Sequence, residues 1–336
     1  MTSLSVIIVN YNSGDRLARC LEHLSRQTYR DFEVIVVDNA SADGSLGSAI
    51  ASAPAPLSPR VIDAGSNLGF AAANNLAARE ATGEWLVFLN PDAYAERDWL
   101  SALVSASGRY PWADAFGSTQ LNADNPATID GAGDVVHVLG IPYRGHFGWP
   151  ADQLPEDGEC FAPCAAAAMY RRAAFLHLGG FEESFFCYGE DVDLGFRLRL
   201  AGGRSVQVKA ARVLHEGSGI SGRYSDFTVY HGNRNRIWMT FRNMPGALYW
   251  PLLPLRLIAD AYLCLRASSA GTGRAYLRGV LDGYAGLPAL AGDRRKLQRA
   301  RKARLRDIAA ALTWSPFKVS KREAVLAPIL PHRATR

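Results

Sequence analysis

Paired cysteines are missing from this sequence. Its 336 residues hold five, Cys20, Cys160, Cys164, Cys187 and Cys264, an odd and scattered set, and Cys160 and Cys164 have no second pair to complete a zinc site. A disulfide-stapled scaffold is excluded and a reducing compartment is expected. No basic n-region or cleavage site precedes the apolar run that begins at Leu4, so no secretory signal is read. Glycine is scarce after that run: Val9 to Asp15 offers only Gly14, which demotes a dinucleotide site of the G-x-G-x-x-G kind. Long apolar runs are also lacking. Met244 to Leu255 is free of charge but contains three prolines and is then interrupted by Arg256 and Asp260, short of the ~20 residues a spanning helix needs.

What is present is a hydrophobic fraction of 48%, enough for one large domain or two smaller ones. The formal charge of +5 conceals an asymmetry. Residues 1–240 carry 19 Lys and Arg against 27 Asp and Glu, a net −8, while residues 241–336 carry 18 against 5, a net +13. An acidic body argues against nucleic acid as a partner, and a basic, partly apolar tail suits an anionic membrane surface.

The body reads as alternating strands and helices. Leu4 to Val9 is a β-branched run ending at Asn10-Tyr11-Asn12, followed by helical spacing of Leu17, Cys20, Leu21 and Leu24. Phe32 to Val37 is a second strand that ends in Asp38, which completes a parallel βαβ unit. Residues 51–60, rich in Ala and Pro, read as a surface loop. Arg60 to Asp63 is a short strand, and Asn67-Leu68-Gly69-Phe70 turns into an alanine-rich helix from Ala71 to Glu80 that carries Asn74. That turn also reads simply as a helix cap. Trp85 to Leu89 is a buried strand broken by Asn90-Pro91-Asp92, which delivers a carboxylate to the strand end where ligands bind in open α/β sheets. The alternative for Asp92 is a cap on the helix expected over Arg97 to Ser107. Residues 122–149 give no assignable pattern and are candidates for shaping an acceptor site.

A second dense cluster follows a strand at Ala165 to Tyr170 and a short helix at Arg172 to Leu178. Phe185, Phe186 and Tyr188 precede Glu190, Asp191 and Asp193 at the start of a helix. Acids in a first turn suit the helix dipole, but aromatic walls would also desolvate a carboxylate and raise its pKa toward that of a general base. A further strand, Ser205 to Leu214, ends in His215-Glu216-Gly217-Ser218-Gly219.

In this order the motifs resemble those of family 2 inverting glycosyltransferases of the GT-A fold, in the branch that includes dTDP-rhamnosyltransferases. Val9-Asn10-Tyr11-Asn12 resembles the opening base-binding loop and Val37-Asp38-Asn39-Ala40-Ser41 the nucleotide-binding acid. Asn67-Leu68-Gly69-Phe70-Ala71 with Asn74 resembles the diphosphate-side loop, and Leu89-Asn90-Pro91-Asp92-Ala93 the metal motif. Glu190-Asp191-Val192-Asp193-Leu194 is similar to the acceptor-side ED motif, and His215 with Gly217 and Ser218 to a late histidine motif. The general Asp-x-Asp metal motif is here Asn90-Pro91-Asp92. The resemblance implies an α/β fold with an open, mostly parallel sheet, flanking helices and, in this chain, a basic helical C-terminal tail. It implies a nucleotide-diphosphate sugar donor, best matched by dTDP-rhamnose, held by Asn10, Tyr11, Asn12, Asp38, Asn67, Gly69, Asn74 and Asn90. It further implies a divalent cation, magnesium or manganese, on Asp92 and His215, and Asp191 as general base with Glu190 as the runner-up. The acceptor would be a saccharide or lipid-linked saccharide of cell-surface polysaccharide synthesis. An inactive nucleotide-sugar-binding module and a nucleotidyltransferase are the competing readings.

Three regions are expected: residues 1–120 as the donor half, 121–240 as the acceptor and catalytic half, and 241–336 as a membrane-associating tail. In that tail Leu297, Leu305, Ile308 and Leu312 lie close to one face of a basic helix running through residues 294–306. The expected location is cytoplasmic, peripheral on the inner face of the cell membrane.

Overall fold

A computed structural model describes residues 3–217 and 225–329. Strands β1 (Leu4–Asn10), β2 (Phe32–Asp38), β3 (Arg60–Asp63) and β4 (Trp85–Leu89) are joined by helices α1 (Arg16–Ser25), α2 (Ser45–Ala51) and α3 (Gly69–Glu80). All three pairings among those strands are parallel. Next come β5 (Ala93–Ala95), α4 (Trp99–Arg109), β6 (Ala115–Asn122), β7 (Ile129–Gly131), β8 (Asp134–Val136), β9 (Pro142–Arg144) and β10 (Gly158–Cys160). The body closes with β11 (Ala167–Arg171), α5 (Arg172–His177), α6 (Glu190–Leu200) and β12 (Ser205–His215). The sheet runs β10-β12-β6-β11-β4-β1-β2-β3, with β5 on β12 and β7 on β6. Because β11 is antiparallel to both β4 and β6, while β12 is parallel to β6, the sheet is mostly parallel, as expected.

Period-two alternation divides the sheet's side chains between two cores. Val6, Ile8, Val34, Val36, Trp85 and Val87 pack with α1 and α4 on one face. Ile7, Ile35, Val37, Leu86 and Phe88 pack with α3 and α6 on the other. Such double burial explains why these strands are legible as continuous apolar runs. β6 is not: Ser118, Thr119 and Gln120 are buried in its middle, and Trp99 Nε1 donates to Ser118 Oγ at 2.8 Å. Its strand state is imposed by β11 and β12 on either side. The expected boundary between residues 120 and 121 falls inside this strand.

The C-terminal part is helical: α7 (Asp226–Asn243), α8 (Gly246–Ser269), α9 (Gly273–Ala285), α10 (Leu287–Ala300), α11 (Leu305–Ala311) and α12 (Pro316–Lys321). Two expectations need correction here. The single basic helix through residues 294–306 is broken between α10 and α11, and Ile308 and Leu312 of its expected stripe are buried in a third core with Phe196, Met239 and Tyr249. Met244 to Leu255 is not a short isolated run either, since most of it belongs to α8, a helix of 24 residues that continues unbroken through Arg256 and Asp260. Both charges are buried, and Arg236 ion-pairs with Asp260, so they do not end the helix.

Candidate active site

The turn after β4 is set by local chemistry. Asn90 N donates to Ala166 O at 2.9 Å and Ala93 N to Asn90 O at 3.1 Å, after which β5 pairs with the end of β12, placing Ala93 opposite His215. Asp92 and His215 are thereby brought together, both buried. α4 begins seven residues after Asp92, so the helix-cap alternative for Asp92 does not hold. His215 Nδ1 is 2.8 Å from Asp130 Oδ2, which also ion-pairs with Arg144. On the other side of the ring, Nε2 lies 3.5 Å from Asp92 Oδ1 and makes no well-formed hydrogen bond. Burial alone would lower the imidazole pKa, but Asp92 and the Asp130 hydrogen bond hold it above its ordinary value. A buried ring nitrogen facing a carboxylate across such a gap, its opposite nitrogen fixed by a second carboxylate, fits a divalent cation held by Asp92 and His215.

Asp92 and His215 line a cavity of about 900 Å³, and so do Tyr11, Asn67, Gly69, Asn90, Glu190 and Asp191. Eight of the expected site residues therefore share one space. Four do not line it. Asn10 is fully buried, where its Nδ2 donates to Asp38 Oδ1 at 3.0 Å and to Ser41 Oγ and Ser45 Oγ, so it ties the ends of β1 and β2 together. Asp38 is held at the same knot. Asn12 Oδ1 accepts from Ala42 N at 2.8 Å, and Asn74 Nδ2 donates to Phe70 O at 2.9 Å within its own helix. Asn39, which sequence reading passed over, does reach the cavity; it donates to Asn67 Oδ1 at 2.9 Å and accepts from Leu68 N at 2.8 Å.

Gly69 shows why that loop has its composition. Its φ is +77°, and an added Cβ would stand 2.5 Å from Phe186 Cδ2 and 2.6 Å from Phe186 O. No side chain fits there. Ala71 N donates to Phe186 O at 3.1 Å, which fastens the Asn67–Gly69 loop to the aromatic segment ahead of α6. Phe186 and Tyr188 themselves take left-handed backbone angles, φ 65° and 71°, a strained conformation concentrated at this site.

The two acids at the start of α6 differ. Asp191 Oδ2 accepts from Ala165 N at 3.0 Å and Oδ1 from Val192 N at 2.8 Å, leaving the carboxylate oriented on the cavity wall. Glu190 is buried, its Oε2 makes no hydrogen bond, and burial together with neighbouring Asp191 pushes its carboxyl well above the usual range. The desolvation expected in this cluster thus falls on Glu190. Asp134, on the unassignable stretch, is likewise pushed well above its usual range by burial, with Asp191 next. Asp193 faces away into the interior, where Arg197, Arg242 and Asn243 surround it.

Residues 134–147, on the stretch expected to shape an acceptor site, form part of the cavity wall, and sequence reading missed the contribution of Arg322 beside them. His146 N donates to Arg322 O, Trp149 Nε1 to Lys321 O and Tyr143 OH to Glu323 O. These bonds clamp the chain after α12 over β8 and β9, and Arg322 lines the cavity with its guanidinium 4.7 Å from the Phe147 ring. Nothing local in the sequence links residues 143–149 to residues 321–323. Directly after His215, Glu216 is held by Arg16 Nε at 2.6 Å and Tyr94 OH at 2.5 Å. Ser218 of the histidine motif lies outside the described residues.

The model of the family described as Glycosyl transferase family 2 matches residues 5–179. A Mycobacterium tuberculosis protein named N-acetylglucosaminyl-diphospho-decaprenol L-rhamnosyltransferase is 30% identical over 290 residues, covering 79% of this chain and 91% of that protein. The Myxococcus xanthus O-antigen biosynthesis protein RfbC is 33% identical over 232 residues, 64% of this chain and 17% of its own length. Among solved structures, the mannosyltransferase PcManGT of Pyrobaculum calidifontis, in complex with GDP-Man and Mn2+, superposes with a TM-score of 0.53 at 18% identity, over 89% of this chain and 86% of that one. TarS 1-349 of S. aureus, in complex with UDP, gives 0.54 at 16% identity, over 93% of each chain. These last two likenesses establish the GT-A fold.

Proposed function

Because this chain belongs to glycosyl transferase family 2 and is an inverting hexosyltransferase, we propose that it moves L-rhamnose from dTDP-rhamnose to a lipid-linked saccharide in cell-surface polysaccharide synthesis. One observation carries the reading. Asp92 and the α6 carboxylates, more than 90 residues apart in sequence, line the same cavity as His215, Asn39, Asn67 and Gly69. Inverting transfer needs a carboxylate that accepts the acceptor's proton and positive charge that neutralises the departing diphosphate.

Asp191 is the base in this proposal. Its two main-chain hydrogen bonds fix its orientation, while Glu190 beside it is buried and biased toward its protonated form. Asp92 and His215 would hold a divalent cation, magnesium or manganese, which when bound supplies the charge that offsets the leaving diphosphate. Asp130 keeps the His215 ring oriented with Nε2 toward that position. A proton on Nε2 and the cation compete for the same place, so the raised pKa of His215 belongs to the cation-free protein. Tyr11 and Asn67 would meet the nucleotide side of the donor. Arg144, paired with Asp130 behind His215, and Arg322 also line the cavity and bring positive charge to it, suited to an acceptor carrying a diphosphate.

The protein named for an N-acetylglucosaminyl-diphospho-decaprenol substrate is the relative that motivates a lipid-linked acceptor. It supports a place on the inner face of the cell membrane, where the basic C-terminal region meets anionic lipid. A thermal-shift panel of nucleotide sugars, with and without manganese, tests the donor, since a ligand bound only by the native state raises its melting temperature. dTDP-rhamnose should give the largest shift. A shift confined to UDP-galactofuranose or UDP-glucose would move the chain to another branch of the family.

A further inference from the structure

Helix α8 is turned inside out. On a helix packed against a water-soluble body, charged residues face solvent and apolar ones face inward. Between Gly246 and Leu265 this helix has two charged residues, Arg256 and Asp260, and each is only 5% exposed. Arg256 Nη2 donates to Val138 O at 3.1 Å, and Asp260 Oδ2 accepts from Tyr284 OH at 2.8 Å. The outer stripe is Trp250, Leu255, Ile258, Tyr262 and Leu265, at 57, 52, 66, 58 and 70% exposure, with Leu257 beside it at 48%. From Trp250 to Leu265 the stripe is about 22 Å long at 1.5 Å per residue. It carries no charge along that length. α9, which packs on α8, adds Leu277 and Leu281 at 48 and 59% exposure.

We infer that the outer face of α8 and α9 is a lipid-seating surface that sinks into one leaflet of an anionic bilayer, with the helices lying in the membrane plane. Three features select lipid over another protein surface. First, the stripe mixes Trp and Tyr with aliphatic residues, the composition that settles at the boundary between headgroups and acyl chains. Second, its end is basic: Arg266 follows Leu265, and Arg274 and Arg278 alternate with Leu277 and Leu281 on the exposed side of α9. Phosphate headgroups complement those arginines. A second copy meeting this face across a two-fold axis would bring these same arginines, of which Arg278 pairs with Asp282 on its own helix, toward each other. Third, α8 is long and apolar enough to cross a membrane, but Tyr249, Arg256 and Asp260 are buried on its other face, which keeps the helix against the protein and in the membrane plane.

The seat is also coupled to the catalytic cavity. α9 lies against α7 so closely that a Cβ on Gly279 would stand 2.6 Å from Tyr230 O, and one on Gly283 would stand 2.8 Å from Ile237 Cδ1. Thr228, Gly232 and Met239 of the same α7 line the cavity. A lipid-linked acceptor would thus be met by a cavity wall one helix away from the leaflet. The purpose of the seat rests on the lipid-linked acceptor proposed above, but its detection needs no sugar.

The test is flotation of the full chain with vesicles of phosphatidylcholine alone and of phosphatidylcholine with phosphatidylglycerol, at low and high salt, beside the double variant Ile258→Gln/Leu265→Gln. Both positions are exposed, so the variant should keep the wild-type melting temperature and donor-induced thermal shift. Wild type should float with anionic vesicles and retain part of that binding at high salt. The variant should bind at least about tenfold more weakly in both salts. Undiminished flotation of a folded variant overturns the inference, as does a wild-type dimer that the double substitution converts to a monomer, which would make the face a protein interface. Loss of donor binding across the nucleotide-sugar panel, with flotation intact, would instead sink the functional reading and leave the lipid seat standing.

Discussion

At the scale of single residues, the roles divide between groups that meet the reactants and groups that hold them. Asp191→Asn keeps the shape of the side chain but removes its basicity, so turnover should fall at least ~100-fold while donor affinity survives, measured by product formation and calorimetry. Should Asp191→Asn turn over like wild type while Glu190→Gln is dead, the base is Glu190. Asp130 makes a different demand. It does not line the cavity, yet its carboxylate is 2.8 Å from His215 Nδ1. Asp130→Asn should weaken manganese binding by roughly 10–100-fold, the usual cost of losing a carboxylate behind a metal-ligating histidine. Titration of the free ion by electron paramagnetic resonance, with the nucleotide absent, reads this without recourse to activity, and unchanged affinity would remove Asp130 from the site.

At the scale of elements, α6 is positioned by a buried charge cluster. Asp193 sits among Arg197 and Arg242; burial would raise its pKa, but the two guanidiniums hold it below the usual carboxylate value. A depressed folded-state pKa stabilises the fold above the unfolded value and ceases to do so as pH falls through the folded one. Stability should therefore begin to drop as pH falls through the ordinary carboxylate value, with this contribution gone below the depressed one, and Asp193→Ala should flatten that part of the profile. The same substitution leaves two buried arginines without their acid, at a cost of about 3–5 kcal/mol in denaturant unfolding at neutral pH. A change within experimental error would show that Glu182, which also pairs with Arg242, suffices.

At the scale of the whole molecule, the basic C-terminal region is not an appendage. Arg294 donates to Phe241 O and Met244 O, Gln298 Nε2 donates to Asn243 O at 2.8 Å, and together they cap the end of α7. Leu290, Ile308 and Leu312 belong to the third core, and Arg322 reaches the cavity. Removing residues 290–336 should accordingly lower the melting temperature by well over 5 °C, since several buried aliphatic side chains at about 1.5–3 kcal/mol each are lost together. An unchanged melting temperature in a calorimetric scan would restore the region to the status of a detachable tail.

The sequence by itself determined the parallel half of the sheet and the loops at its edge. Strands buried on both faces must be uniformly apolar, so β1, β2 and β4 announce themselves, and the polar turns that interrupt them mark where the chain meets a ligand. Asp92 was expected at the sheet edge for that reason, whereas Asp191 was read from the run of acids that opens α6 and His215 from the end of a later strand. The tertiary structure decided whatever depends on long-range neighbours. β6 is a strand only because β11 and β12 flank it. Asn10 and Asn74 spend their amides on the protein rather than the cavity, and Asp130, Asp134 and Arg322 join the site from segments with no local periodicity. It also decided which way α8 faces: a run of apolar residues broken by Arg256 and Asp260 reads as too short to matter until Arg236 and Tyr284 draw Asp260 inward. A hydrophobic pattern records how much apolar surface a helix has, whereas only its packing partners settle which surface is left for something else to cover.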